Sequence, residues 1–435
     1  MVRLLLPILL VSAGALAEDE LPATQDFSLD FDVSSAGIEV PPAAASGTAW
    51  ASPRWGFAWQ LGANLDALDT VNSHRLDSRL RWEQLLLPWL YASVDGKLII
   101  RATGDQQLRE SEDAAWDWRV RELSLQASDE RVGAKLGFQT IVWGEMDTAP
   151  INDLLSPWDY SEYAYTAPED ARIGQAALTA NYFVAGSTVT IAVVPWALTN
   201  RYPGGDTNGL VAAILGVDNA NVKDNQPEAM TDMEYGLRLK YSFPGTDVAL
   251  YALSVLSNDP QFTTDDGVNF ETRYSRYKNY GASINYVRDN ILWKAELGYK
   301  PDVYIPAATP LERDTLEYAL GADYNANGVY DLTLEAFNQH IFSGAGRLVG
   351  MKRDNSQIAG RISKNFLHDT LSVVYFLRYQ VQYRDVTQSF SIDYAVNDYW
   401  NTSVNVTHIE INNQDSPYRF TDDWDQLSLR VSLDF

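Results

Sequence analysis

Apolar and polar side chains alternate along this chain from end to end, and a period of two restricts it to sheet. Residues 427–435 place Leu427, Leu429, Val431, Leu433 and Phe435 on one face. Residues 330–336 set Tyr330, Leu332, Leu334 and Ala336 against Asp331, Thr333 and Glu335. Residues 371–383 repeat the pattern with Leu371, Val373, Tyr375, Leu377, Tyr379, Val381 and Tyr383. Alternate side chains of a strand point to opposite faces, so each segment has one apolar and one polar side.

A soluble sandwich alternates too, and the connections decide against it. Tight turns are read at Asp95-Gly96, Asp129–Arg131, Ala185–Ser187, Pro244-Gly245, Arg288–Asn290, Asn327-Gly328, Leu367–Asp369 and Asp398. Longer polar loops fall between them, near 67–74, 109–117, 144–170, 199–232, 258–273, 301–313, 342–353 and 411–423; only the connection at Asp385 is short where a long one is due. Short turns on one side and long loops on the other mark a bacterial outer-membrane barrel. Strand candidates of about 10–14 residues suit tilted strands crossing hydrocarbon. Aromatic residues at apolar-face strand ends (Trp55, Trp59, Trp82, Trp293, Tyr299, Tyr324, Tyr330) supply interfacial girdles. The expected fold is an all-β, transmembrane up-and-down antiparallel β-barrel of about 18 strands, both termini periplasmic. The long segment 75–94 and the weak turn within 369–396 leave sixteen strands open.

Residues 1–17 read as a secretory signal peptide: Arg3, an apolar run from Leu4 to Ala13, then Ala15-Leu16-Ala17 before Glu18. Residues 18–49 carry seven acidic side chains and no Lys or Arg, and are read as an acidic periplasmic leader or plug segment ahead of a barrel over 50–435. The net charge of −25 argues against nucleic acid as a partner. There is no cysteine, so no disulfide closes the fold. The uncharged stretch Ile173–Asn200 is long enough for a membrane helix. Asn181, Gly186-Ser187, Pro195 and the alternating Thr188-Val189-Thr190-Ile191 instead indicate a hairpin. Phe435, closing an amphipathic strand, resembles the terminal aromatic that barrel-assembly machinery recognises; outer-membrane lipid and lipopolysaccharide are the other expected neighbours.

With Leu427 and Leu332 toward lipid, the opposite register faces the lumen. That face carries Arg79, Arg81, Arg101, Lys135, Arg238, Lys240, Lys294, Arg361 and Arg378, with Glu83, Glu122, Glu296, Glu317, Asp323, Glu335 and Asp393. Charge on the lipid face near mid-membrane costs roughly 2–4 kcal/mol for Arg or Lys, so charges report the interior. Most are expected to pair and fill space, and a few arginines to filter solutes. The segment 144–170 repeats the count of seven acidic residues and is rich in Trp, Tyr and Pro. Folded inward, Trp143, Glu145, Asp147, Asp153, Trp158 and Asp159 would narrow the lumen, with their carboxylates facing the arginines.

The run Gln139-x-x-x-Trp143-Gly144-Glu145-x-Asp147, followed by Asp153-x-x-x-Pro157-x-Asp159, resembles an uncharacterised proteobacterial outer-membrane family, a domain of unknown function. Its members often accompany inner-membrane transporters of the resistance-nodulation-division type. The resemblance is clearest over 118–200 and implies export or trafficking of a hydrophobic molecule or envelope lipid. Looser similarity to alginate-export and phosphate-selective porin barrels is architectural only.

An outer-membrane enzyme is the rival class. Barrel lipases use His-x-Ser, but Leu76, Phe342, Thr370 and Glu410 follow the four histidines at that spacing; omptin-type proteases use Asp-x-His, and Asn72, Asn338, Phe366 and Val406 precede them. No histidine pair at ligand spacing indicates a metal, and no cofactor is expected; Asp265-Asp266 and Asp422-Asp423 read as solvated loop pairs. The expected function is therefore an outer-membrane channel for a small solute or lipid, its lumen narrowed by 144–170. The alternative is an export component working with an inner-membrane transporter.

Overall fold

A computed structural model describes residues 51–65, 71–101, 116–160, 171–201, 221–263, 269–305, 311–342, 352–413, 416–422 and 424–435. The signal-peptide and leader readings lie outside these residues, as does the 161–170 part of the long acidic loop.

Eighteen antiparallel strands form one sheet, each hydrogen-bonded to its neighbours in sequence. The first strand, Arg54–Asn64, pairs with the last, Gln426–Asp434, from Gly56 opposite Asp434 to Asn64 opposite Gln426, and this pairing closes the barrel. Trp55 and Phe435 exchange backbone bonds of 2.8 and 2.9 Å at the seam. Closure matters because a spanning sheet with an open edge would leave N–H and C=O groups unpaired in hydrocarbon. Ile173–Asn200 is the expected hairpin, Gln175–Val184 and Ser187–Val194 turning at Ala185-Gly186, where positive φ suits glycine.

Among the described residues the short turns lie on the side that holds both strand termini, which the rule of short turns assigns to the periplasm; the exception is the expected one, the four-residue connection 381–384 ahead of Asp385 on the long-loop side. The first periplasmic turn is not at Asp95-Gly96. The chain turns at Pro88-Trp89, between strands Val71–Leu87 and Leu90–Arg101. Proline lacks the N–H a ladder requires and so ends the long strand. Asp95 and Gly96 sit inside the next strand at a register shift, where Arg79 grips Asp95 through two bonds of 2.7 and 2.6 Å. Two loops are shorter than read. Strand begins already at Val71, and 301–313 is largely the top of a hairpin, Ile291–Ile305 with Leu311–Asn325. Strand lengths accordingly run from 8 to 17 residues. A small separate sheet pairs Gln261–Thr263 with Asn269–Arg273 and Asn221–Lys223 on the long-loop side.

The two faces separate as alternation demands. Leu320, Leu334, Ile358 and Leu250 are exposed on the outside. Trp55, Trp89, Tyr241, Trp293, Trp400 and Phe435 ring the turn side, and Trp116, Trp118, Tyr235 and Tyr280 lie toward the other. Trp59 is instead in mid-strand, edge-on to His74 at 6.0 Å, and Tyr330 sits in the turn against Tyr324.

The strand Asp385–Ala395 offers a direct test of this division. Phe390→Arg, pointing to lipid, should destabilise the barrel by roughly 2–4 kcal/mol, whereas Ser389→Arg on the lumen face should change stability little. Denaturant unfolding in lipid vesicles measures both; equal losses would reverse the assignment of faces.

Candidate functional site

The segment between strands Val132–Gln139 and Gln175–Val184 leaves the long-loop end and runs against the inner wall. Its root is fixed by the side chain of Gln175, whose amide donates to the Leu155 carbonyl and accepts from the Leu198 N–H at 3.0 Å. Ile141 N–H donates to Ser156 Oγ at 2.7 Å, closing the two limbs on each other. Trp143, Ile141 and Leu155 then pack on Ala177, Ala192, Val194, Leu253 and Val255. Each such buried side chain contributes roughly 1.5–3 kcal/mol, enough together to hold an apolar limb on the wall.

Beyond that cluster the fixing is polar and centred on Glu296, from strand Ile291–Ile305. Its Oε1 accepts the N–H groups of Glu145 and Met146, the latter at 2.8 Å. Its Oε2 accepts from Ile151 N–H at 3.0 Å, Asn152 N–H at 3.1 Å and Asn152 Nδ2 at 3.0 Å. One wall carboxylate thus gathers a whole turn of main chain. Glu335, on strand Asp331–Ile341, does the same for the next stretch, accepting from Asp147 N–H (2.9 Å), Thr148 N–H (2.9 Å) and Thr148 Oγ1 (2.6 Å). Lys294 joins the arrangement through Asp147 at 2.9 Å, Asp323 at 3.0 Å and Glu335 at 3.1 Å.

Such close approach needs room on the wall. A Cβ at Gly236 would stand 2.7 Å from the Trp143 ring, and one at Gly281 would fall 1.8 Å from Asn152 Oδ1. Strand-interior glycines at 236, 281, 298 and 321 all face this segment. Glycine weakens a strand, and its presence often marks a neighbouring backbone passing close.

The residues expected to form the constriction are brought together, in roles that differ from one another. Trp143 is buried, tilted against Tyr251 with Arg238 5.5 Å from its ring. Glu145 receives Asn285 Nδ2 at 2.6 Å, and burial raises its carboxyl above the ordinary range. Asp147 is raised by burial as well, opposed by Lys294. Asp153 pairs with Arg172, whose guanidinium stacks on Trp158 at 3.2 Å. Asp159 pairs with Arg119 at 2.6 Å. Glu145 stands in the field of Arg238 and Lys240, and Asp147 in that of Lys294 and Arg361, while a contact that parity did not suggest is added to these: wall carboxylates bind the segment's N–H groups.

All nine cations assigned to the lumen from parity lie on that face. Arg79 pairs with Asp95, Arg81 with Asp434 at the rim (3.0 Å), and Lys135 with Glu122 (2.6 Å). Lys240 pairs with Asp247 (3.0 Å), and Arg101 lies 3.9 Å from Asp117. Arg361 donates to Ser363 at 3.2 Å and Arg378 to Thr387 at 3.3 Å. Alternation missed Arg75, Lys97, Arg119 and Arg430, although Arg75 shares the parity of Arg79. The misplaced turn hid Lys97, and Arg119 fell beside a presumed loop. Three of the four, Arg75, Lys97 and Arg430, converge on Asp77 at 3.2 Å each.

A family model described as a protein of unknown function (DUF1302) matches residues 116–435. No curated protein matches the chain. Among solved structures, OpdK from Pseudomonas aeruginosa with vanillate is 11% identical, with a TM-score of 0.54 over 88% of this chain and 98% of that one. OccAB1 from Acinetobacter baumannii is 10% identical, with a TM-score of 0.55 over 90% and 98%. At this identity the likeness is one of fold, that of barrels of the bacterial outer membrane.

Replacing Glu296 with Ala removes the acceptor of five bonds, each charge-assisted bond being worth about 1.5–3 kcal/mol. Limited proteolysis should then cut within 145–152 at least tenfold faster, while the barrel keeps its heat-modifiable mobility. Unchanged protection would show that the apolar limb alone seats the segment. Gly281→Val, which forces Asn152 off the wall, should expose the same bonds.

Proposed function

The chain belongs to the DUF1302 family, and we propose that it is a porin-like channel of the outer membrane whose lumen is narrowed by the segment 140–159. The observation that carries this reading is the seating of that segment on Glu296 and Glu335, carboxylates of the lumen face and not of an outer rim. A long ordered loop held inside a barrel by its own main chain reduces the bore without closing the sheet's interior.

The wall supports a watery passage. Strands Leu371–Gln380, Asp385–Ala395, Trp400–Glu410 and Gln426–Asp434 present Thr387, Ser389, Ser391, Ser403, Asn405 and Ser428 inward, and among the described residues the hydrogen bonds of the segment along this side reach as far as Gln357. Solvated hydroxyl and amide groups suit the passage of polar solutes. They suit less well the alternative, export of a hydrophobic molecule with an inner-membrane partner, which calls for an apolar lane. The same reading makes the protein a passive channel, with no catalytic constellation required of it. The fold likeness to OpdK and OccAB1 is consistent with it.

Single-channel conductance in planar bilayers tests the proposal. The intact barrel should give steady openings, and a barrel lacking residues 145–168 should conduct at least twofold more. A closed intact barrel that conducts only after the deletion would overturn the open-channel reading in favour of a gated one.

A further inference from the structure

Register alone places like charges side by side on the wall across the barrel from the seated segment. Arg430 stands opposite Gln60, Gln60 opposite Arg75, and Arg75 directly opposite Arg101. Four residues nearer the turns, Arg79 stands directly opposite Lys97, and Lys97 opposite Arg119. Two transverse rows of cations therefore cross strands 71–87, 90–101, 116–128 and 426–434. At 3.3 Å per residue they are about 13 Å apart along the strand.

Opposite charges facing one another across a ladder stabilise a sheet, and like charges there destabilise it. A wall built only to fill the lumen would set a carboxylate or a neutral group across from each cation, as Gln126 and Thr179 flank Lys135 elsewhere. Here Asp77 and Asp117 occupy the row between, in register across Ile99, and Asp95 lies beside Arg79. Asp77 is shared by Arg75, Lys97 and Arg430. Asp117 is shared by Arg101, Arg119 and Arg201, and Asp159 reaches Arg119 from the root of the segment. Arg430 is the member most open to the lumen, its side chain 26% exposed. Carboxylates shared in this way hold guanidinium and ammonium groups in place with part of their positive field directed into the bore.

We propose that the two rows form an oxyanion-binding stripe, and that the solutes of this channel are small organic oxyanions handed from one row to the next. Guanidinium pairs recognise carboxylate and phosphate through parallel N–H donors, and rings of such charge select anions in a pore. The inference rests on the channel reading above. The seated segment, bonded to the wall from Gln175 to Gln357 and reaching the stripe at Arg119 through Asp159, would press a passing solute toward the stripe.

Uptake into proteoliposomes of four solutes built on one sugar ring tests the stripe: glucuronate, glucose 6-phosphate, glucose and glucosamine. Glucuronate should enter several-fold faster than glucose, and glucosamine slowest. Faster uptake of glucose 6-phosphate than of glucuronate would support the stripe and assign it to phosphate esters. Equal rates for all four, or a preference for glucosamine, would overturn the stripe while leaving the channel reading intact. Uptake of none would overturn both. In Arg430→Gln and Lys97→Gln barrels the ratio of glucuronate to glucose uptake should fall several-fold, and an unchanged ratio would overturn the assignment to these rows. The wild-type comparison stands by itself should either variant fail to assemble.

Discussion

Within hydrocarbon a peptide group has no water to bind, and every N–H and C=O must be paired by the protein itself. The rest of this molecule follows from that demand. It forces the eighteen strands into a ring, forces the outward side chains to be apolar, and leaves the inward ones free to carry charge. Polar chemistry is then concentrated in one place, the bore. The lumen is thus the necessary address for any selective function, before any residue in it is considered.

Inside the ring the same demand returns in miniature. A segment drawn in from the loop side brings main-chain N–H groups with it, and these need acceptors as surely as the strands do. Glu296 and Glu335 supply them. A buried carboxylate answered by several N–H groups escapes the cost of isolated charge, and Glu335 has Lys294 beside it as well. That leaves the cations of the opposite wall to their own arrangement.

Much of this was legible in the chain. The alternation at Leu427–Phe435 and Leu371–Tyr383 gave faces, the spacing of turns gave strand number, and each charged residue assigned to the lumen from parity does face it. The turn at Pro88-Trp89 was hidden because Asp95-Gly96 carries a stronger local turn signature, which a register shift and the grip of Arg79 absorb. The anchoring role of Glu296 left no pattern at all, since its partners are backbone groups common to every residue. The glycines at 236, 281, 298 and 321 did leave one. Small residues recurring within otherwise bulky strands signal something lying across them, although they do not say which segment it is.

The seam between Trp55 and Phe435 carries a last implication. The two ends of the barrel sequence are neighbours in space, hydrogen-bonded and in register. Mechanically, then, the ring has no first strand. A circularly permuted chain, with 54 and 435 joined by a few residues and new termini opened within an existing short turn, would keep every ladder described above. The order in which the strands are written is a fact about delivery, and the finished ring holds no trace of it.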